Sequence, residues 1–338
     1  MLKTNYTRSP VKIKVVGIGG GGCNAVTRMC HDQIAGVEFV AMNTDTQHLA
    51  ITEASVRIPL GEKLTHGSGA GGDHNIGRRC AEDSLDEITQ ALAGSDMVFL
   101  AAGMGGGTGT GAAPFIAEAS RKLGALTIAV VTKPFKFEGL RRMQIAEEGI
   151  SRLVKIVDTL IIVSNDRLLE QSDRNMNVDN TFKLADETLS HAVQTVTGLI
   201  MTPGLINIDF ASIRNLLRNA GPAWMSIGKS TGQFPALEAA KEALKSPLSD
   251  VSLETATKVL FRIDGSEKLT LAQVNEAAKI IQKSVHPEAD IVFGVNVAPD
   301  MMHEVRLTLI ATGFSVQGSS GFKGLDKKTL PPLFYLRP

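Results

Sequence analysis

Two glycine runs mark where this sequence can hold a ligand. Gly17-Ile-Gly-Gly-Gly-Gly22 follows one apolar segment, and Gly103-Met-Gly-Gly-Gly-Thr-Gly-Thr-Gly111 follows another. Glycine lets backbone N–H groups approach an anion with no Cβ in the way, and a helix beginning at such a loop adds partial positive charge. Both runs read as phosphate cradles. The first formally matches the dinucleotide fingerprint G-x-G-x-x-G. A dinucleotide fold expects an acidic residue at the end of the second strand, where this chain has Asn43 with Asp45 just beyond. The second run adds hydroxyls from Thr108 and Thr110, and Gly69-Ala-Gly-Gly72 supplies a third stretch of bare backbone. A nicotinamide enzyme needs one such loop for its pyrophosphate. Three converging loops suit a triphosphate and its metal. A P-loop lysine is missing: Gly228-Lys229-Ser230 has Ala223 where that motif's first glycine should stand, and reads as a turn.

These loops need a frame. Val11–Ile18, Phe39–Met42, Met97–Ala102, Leu126–Thr132 and Thr159–Ser164 have the β-branched, apolar character of buried strands. Helical patterns fall between them at Cys23–His31, Ile76–Leu92, the stretch from Gly111 to about Leu123, and Leu140–Val154, with Gly67–Gly77 as a loop. Strand, loop and helix in that rhythm predict an α/β fold: a parallel sheet with helices on both faces. A long helix is expected over Asn180–Met201. A smaller α+β unit follows, with strands at Lys258–Ile263, Ile291–Val297 and Glu304–Ala311 and a helix at Leu271–Val285.

Composition removes other classes. Across 338 residues, 35 Lys+Arg balance 35 Asp+Glu, and there is no basic run, which argues against a nucleic-acid binder. No apolar run approaches a membrane span, and the start lacks a signal peptide's apolar core. Cys23, Cys30 and Cys80 make an odd count and no disulfide framework. A soluble, reduced, cytoplasmic protein is expected. Cys23 and Cys30 read as small core hydrophobes, and none of the scattered histidines, His48 among them, is given a role.

GGGTGTG at 105–111 is the signature of the tubulin/FtsZ family. GGGGCNAV at 19–26, NTD at 43–45, GAGG at 69–72 and TKPFKFEG at 132–139 fall in that family's order. The sequence resembles the FtsZ branch over nearly all of residues 11–316. The resemblance implies a flexible segment at 1–10, a GTP-binding domain at 11–178, a core helix at 179–203, a C-terminal α+β domain with a catalytic loop at 204–316, and a tail at 317–338. It implies a GTPase that binds GTP/GDP with Mg²⁺ and polymerises head to tail with itself, forming the bacterial division ring at mid-cell. By position, it implies a first phosphate loop of Gly20, Gly21, Gly22, Cys23 and Asn24. Asn43, Asp45, Ala70, Gly71 and Gly72 would adjoin the nucleotide. Gly103, Gly105, Gly106, Gly107, Thr108 and Gly109 would surround the β- and γ-phosphates. Thr132, Pro134, Glu138 and Arg142 would lie along GTP, the last two at its ribose and phosphates. Asn165, Phe182 and Asp186 would form the guanine pocket. Guanine's N1–H and N2–H donors suit a carboxylate such as Asp186. On residue type alone, Phe182 is a core aromatic, Asn165 a strand-end turn residue, and Glu138–Arg142 an i,i+4 pair. No metal ligation by a side chain is expected.

In this family, a loop of the next subunit orients the attacking water. Here the loop resembles Asn207-Ile-Asp209-Phe-Ala-Ser212. The family pattern has two carboxylates three residues apart; this chain keeps Asp209 and has Ser212 in the second place. Serine is a poor proton acceptor, so slower hydrolysis is expected. On sequence alone Asp209 serves equally well as a helix N-cap. Residues 329–338, with Pro331-Pro332 and the apolar Leu333–Leu336, loosely resemble the family's docking peptide for membrane-tethering adaptors; no direct membrane insertion is expected. Two other readings stay open: an NAD(P)-dependent oxidoreductase built on the first glycine loop, and a GTP-binding scaffold filament with little hydrolysis.

Overall fold

Side chains that point alternately to the two faces of a strand need cover on both faces, and this sheet has it. The computed structural model describes residues 11–32, 34, 36–171, 178–201, 209–245, 253–297, 301 and 304–314. In β1 (Ile13–Ile18), Ile13 and Val15 enter one core, while Val16 and Ile18 enter another. β4 (Met97–Gly103) divides the same way, with Met97 and Phe99 on the first side and Val98, Leu100 and Ala102 on the second.

The chain runs β1, α1 (Gly19–His31), β2 (Val37–Asn43), α2 (Thr46–Ile51), β3 (Val56–Pro59), α3 (Glu62–Thr65), α4 (His74–Asp83), α5 (Leu85–Leu92) and β4. Then come α6 (Gly107–Lys122), β5 (Leu126–Lys133), α7 (Leu140–Leu153), β6 (Thr159–Ser164), α8 (Asn165–Gln171) and α9 (Val178–Met201). The C-terminal half holds α10 (Phe210–Leu217), β7 (Gly221–Ser230), α11 (Pro235–Lys245), β8 (Lys258–Gly265), α12 (Leu271–Ser284), β9 (Asp290–Val297) and β10 (Val305–Thr312).

The strand order is β3-β2-β1-β4-β5-β6-β7-β10-β8-β9 in one ten-stranded sheet. The first six strands are parallel, in an order that reverses direction between β1 and β4. Open parallel sheets bind ligands beyond the strand C-termini at such a switch point. The C-terminal strands are not a detached layer. β7 pairs parallel with β6 through Thr159–Gly221 to Ile161–Ala223, and β10 runs antiparallel between β7 and β8.

Helix α9 joins the two halves. Its Leu189, Val193 and Val196 share one core with Phe99 and Val130 of the parallel sheet and with Leu260 and Ile310 of the C-terminal strands. A second C-terminal core forms around Trp224, Phe261, Ala239 and Ile281. α9 has 24 residues, about 36 Å of helix. Its last residue, Met201, presses on Gly36, which precedes the N-terminal end of β2. α9 therefore finishes at the sheet edge opposite the glycine loops. α10 lies toward that same edge: the Leu217 carbonyl accepts a hydrogen bond from the Thr159 hydroxyl at the start of β6.

Four sequence expectations change. Ile76–Leu92 is two helices broken at Ser84, whose hydroxyl accepts the Gly61 N–H. Gly228-Lys229-Ser230 is the end of β7 rather than a turn, because β10 pairs with those residues. The stretch from Gly67 to Gly77 is loop only to Asp73; Gly77 lies inside α4, where α6 leaves no room for a Cβ. Helices α1 and α6 start at Gly19 and Gly107, inside the glycine runs instead of after them.

Candidate nucleotide-binding site

The helix starts give the glycine runs their chemistry. The first-turn N–H groups of a helix have no partner within it. Several helices here supply one with a side chain: Asp45 caps α2, Asp73 caps α4, Asp209 caps α10 and Thr270 caps α12. Helices α1 and α6 have no side-chain cap and no acidic residue in the first turn. Their glycine-rich starts leave β1 and β4, the two strands at the switch point. Two partial positive charges and two sets of open N–H groups thus meet at one crevice.

The loops are held against each other. Gly19, at φ 69°, lies so near the signature loop that a Cβ would come within 2.9 Å of the Gly109 nitrogen. A Cβ on Gly107 would sit 2.8 Å from the Ala70 Cβ, so the third loop packs on the second. The Thr44 and Thr108 hydroxyls share a hydrogen bond of 2.6 Å. The Gly69 N–H donates to the Thr44 carbonyl at 3.1 Å, and Asp45 bridges Ser68. The backbone of Gly105 lies against Arg142 and Pro134. Loops separated widely in sequence, at 19–22, 43–45, 69–73, 103–109 and 134–142, therefore pack against one another at this end of the sheet.

Within that frame the expected residues divide. Gly20 and Gly21 are exposed, and nothing crowds Gly71, Gly72 or Gly106. Gly22 differs: its Cα faces the Ala101 carbonyl at a distance that only glycine permits, so it sets the packing of α1 on β4. Cys23 turns into the core, where burial pushes its thiol up to about 12; only its backbone can serve a ligand. The expected free hydroxyl of Thr110 is not free. It is buried and accepts the Gly105 N–H at 2.8 Å, which braces the signature loop from within. Gly103 and Thr132 face each other at the ends of β4 and β5, and the Met104 N–H donates to the Thr132 carbonyl.

Glu138 and Arg142 do form the i,i+4 pair, at 3.0 Å, and Glu138 also accepts the Phe135 N–H at 2.8 Å. Glu138 is mostly buried while Arg142 is half exposed at the rim. Beside them Phe137 and Leu140 stand 66% and 84% exposed. The Lys136 N–H donates to Asp166, tying this rim to the start of α8.

Asn165, the first residue of α8, is buried, and its Oδ1 has no hydrogen-bond partner among the described residues. An orphaned acceptor of that kind costs stability unless something else satisfies it. Asp186 lies along the α1–α9 contact. Burial pushes its carboxyl up to about 7, with Arg28 pulling it down and Glu187 pushing it up. Arg28 pairs with Glu187 at 2.8 Å and lies one turn beyond Asn24 on α1. Phe182 is in α9, one turn before Asp186; its side chain is outside the described residues, as is Asn207.

Asp209 is the N-cap of α10, its Oδ1 accepting the Ser212 N–H at 2.7 Å. The cap is thus a present function of this carboxylate. It belongs to the helix at the far sheet edge, so it does not face the glycine loops of its own molecule. Sequence reading missed two residues at the crevice, Thr44 and His48. The NTD motif held the signal for Thr44; an isolated histidine gave none for His48.

Comparison with known proteins decides the class. The profile described as Tubulin/FtsZ family, GTPase domain, matches residues 12–173, and that of the FtsZ family C-terminal domain matches residues 221–315. The chain belongs to the tubulin/FtsZ family. An empty FtsZ dimer of M. jannaschii is 44% identical, covers 91% of this chain and 89% of its own, and superposes with a TM-score of 0.88. A mutant FtsZ of the same organism is also 44% identical, with coverage of 90% and 92% and a TM-score of 0.87. A GTPγS-bound CetZ2 protofilament from Haloferax volcanii shares the fold at 18% identity, with coverage of 95% and 100% and a TM-score of 0.79. The N-terminal unit is therefore a GTPase domain of this family, and nothing in the comparisons favours an oxidoreductase. Among the described residues no helix is long and apolar enough to cross a membrane.

Proposed function

We propose that this chain binds GTP in the crevice at the β1–β4 switch point and assembles head to tail into filaments of a division ring, each junction hydrolysing GTP. The observation that carries the reading is the separation of two parts. The uncapped helix starts of α1 and α6 lie at one edge of the sheet, and Asp209 at the start of α10 belongs to the other. A single molecule has the cradle and the carboxylate on opposite sides. A second copy stacked along the α9 direction brings them together. Exposed Phe137 and Leu140 at the cradle rim give that contact an apolar component. That a 44% identical FtsZ of M. jannaschii is a dimer supports self-association.

In this reading the N–H groups of Gly20, Gly21, Gly107, Thr108 and Gly109 bind phosphate oxygens. Glu138 and Arg142 hold the ribose and phosphate rim. Asn165 and Asp186 accept from or donate to guanine, with Phe182 beside them. Mg²⁺ neutralises phosphate charge when bound. Phosphate oxygens and water would be the ordinary ligands of such an ion. The next subunit's Asp209 positions the attacking water, with Asn207 of the same loop.

Hydrolysis is slower than in relatives with two carboxylates, because Ser212 offers a hydroxyl where a second proton acceptor would stand. A positioned acid or base contributes about 10²–10⁴-fold. The test is sedimentation with GTP or GDP, with released phosphate counted in the same tube. Pelleting with GTP and a rate raised at least tenfold by Ser212→Asp support the reading. Equal rates for the two proteins count against the role of Ser212, and no pelleting counts against the filament. Adaptors binding at residues 329–338 complete the proposal; those residues lie outside the described structure.

A further inference from the structure

The nucleotide reading, on which this inference rests, gives His48 no task. His48 sits on α2, between the end of β2 and the first turns of α1. Its Nε2 is 2.9 Å from Asn24 Oδ1, and its Nδ1 is 3.2 Å from Asn43 Nδ2. Its Cε1 lies 4.0 Å from where a Cβ on Gly20 would be, so the ring covers the first glycine loop from the side.

The direction of each hydrogen bond follows from one fixed end. The Asp45 backbone N–H can only donate, and it donates to Asn43 Oδ1 at 3.3 Å. The other end of that amide, Nδ2, must then face His48 as a donor. His48 Nδ1 must accept, so the ring proton is on Nε2. Nε2–H donates to Asn24, which fixes Oδ1 as the atom turned toward the ring. The NH₂ of Asn24 is left facing away from it. Asn24 itself is exposed, two residues after the last glycine of the run. Asn43 has both ends engaged, at His48 and at Asp45, which makes it a support for the site.

We propose that His48 is a positioning residue: it relays the Asp45–Asn43 backbone geometry to Asn24, so that Asn24 presents hydrogen-bond donors to an acceptor-rich part of the nucleotide, a ribose or phosphate oxygen. An unsupported Asn24 can turn either end of its amide to the crevice, and half of those orientations set oxygen against oxygen.

GDP is the probe, and its affinity for the full chain is measured below the assembly concentration, alongside urea unfolding without nucleotide. Glutamine can place an amide N–H where Nε2–H stands, and asparagine an amide oxygen where Nδ1 stands. His48→Ala is expected to weaken GDP binding about fivefold, the scale of one neutral hydrogen bond. His48→Gln restores most of that loss and His48→Asn does not, a difference that the urea midpoints of the two variants do not track. In an Asn24→Ala background, His48→Ala changes affinity less than twofold. Equal losses in the Gln and Asn variants overturn the proposal, as do losses that multiply in the double variant or merely follow the unfolding midpoints. Wild-type protein that holds no GDP at all overturns the nucleotide reading itself, and this inference with it. That failure is visible before any variant is made.

Discussion

Replacing Asp186 with asparagine should make the empty protein more stable and the loaded one weaker. Burial moves this carboxyl from 3.8 to about 7, despite the attraction of Arg28. The folded state thus holds the proton more tightly than the unfolded chain. Stability from the neutral form is complete below about pH 4, falls as the pH rises, and is fully lost above about pH 7. Each tenfold change in the proton equilibrium is worth about 1.4 kcal/mol, so the ionised carboxylate costs the folded state up to about 4 kcal/mol at pH 8 and about 1.5 kcal/mol at pH 5. The upper figure is a ceiling, because part of the side chain reaches water. A neutral amide at this position carries no such cost. Urea unfolding of nucleotide-free wild type and Asp186→Asn at pH 5 and pH 8 should therefore give a difference that grows with pH, in the variant's favour. Guanine reverses the ranking. Its N1–H and N2–H need an ionised acceptor, so wild-type GDP affinity should drop up to tenfold for each pH unit below about 7. The variant turns an NH₂ toward those donors and should bind about 10–100-fold more weakly at pH 8, the scale of a charge-assisted bond. A variant no more stable than wild type at pH 8, or a wild-type affinity equal at pH 5.5 and pH 8, would rule out a buried, guanine-facing Asp186.

Asp209→Ala should cost about 1 kcal/mol through the lost N-cap, measured by denaturant unfolding. It should leave GDP binding intact while lowering phosphate release at least 100-fold; a variant that hydrolyses normally removes Asp209 from the mechanism. Asp158→Ala tests the joint between the two halves of the sheet. The buried Asp158 carboxylate accepts the N–H groups of Thr127 and Asn219 and lies 3.6 Å from Arg121, so its removal should cost about 3 kcal/mol. An unfolding midpoint within error of wild type would contradict that assignment.

Five of the six N-terminal parallel strands were legible because each is a short apolar run between turn residues, and the glycine loops because clustering four glycines has few structural uses; β3 (Val56–Pro59), four residues with Arg57 and Pro59 among them, gave no such signal. β7 was hidden for the converse reason. Gly221, Pro222, Gly228 and Lys229 weaken its strand signal, and only pairing with β6 and β10 makes it a strand. The break at Ser84 was invisible because Cys80, Ile88 and Leu92 keep one apolar face across two helices. At the site, residue types pointed to the glycine loops that converge at the switch point, but not to which glycines serve packing. Gly22 and Gly77 are glycine because neighbouring backbone comes too near for any side chain. His48 could not be read at all: its role depends on Asn24 and Asn43, which reach it from two other elements.

On the proposed function, one molecule cradles GTP and the next completes the reaction. The direct measurement mixes Asp209→Ala with a cradle-blocked variant, Gly107→Val, and follows phosphate release against total concentration. Each alone should be nearly inactive. Together they should regain a substantial fraction of wild-type turnover, rising with concentration, because junctions form that join an intact cradle to an intact Asp209. A mixture as inactive as its parts, or a wild-type rate per molecule that ignores concentration, would contradict the account.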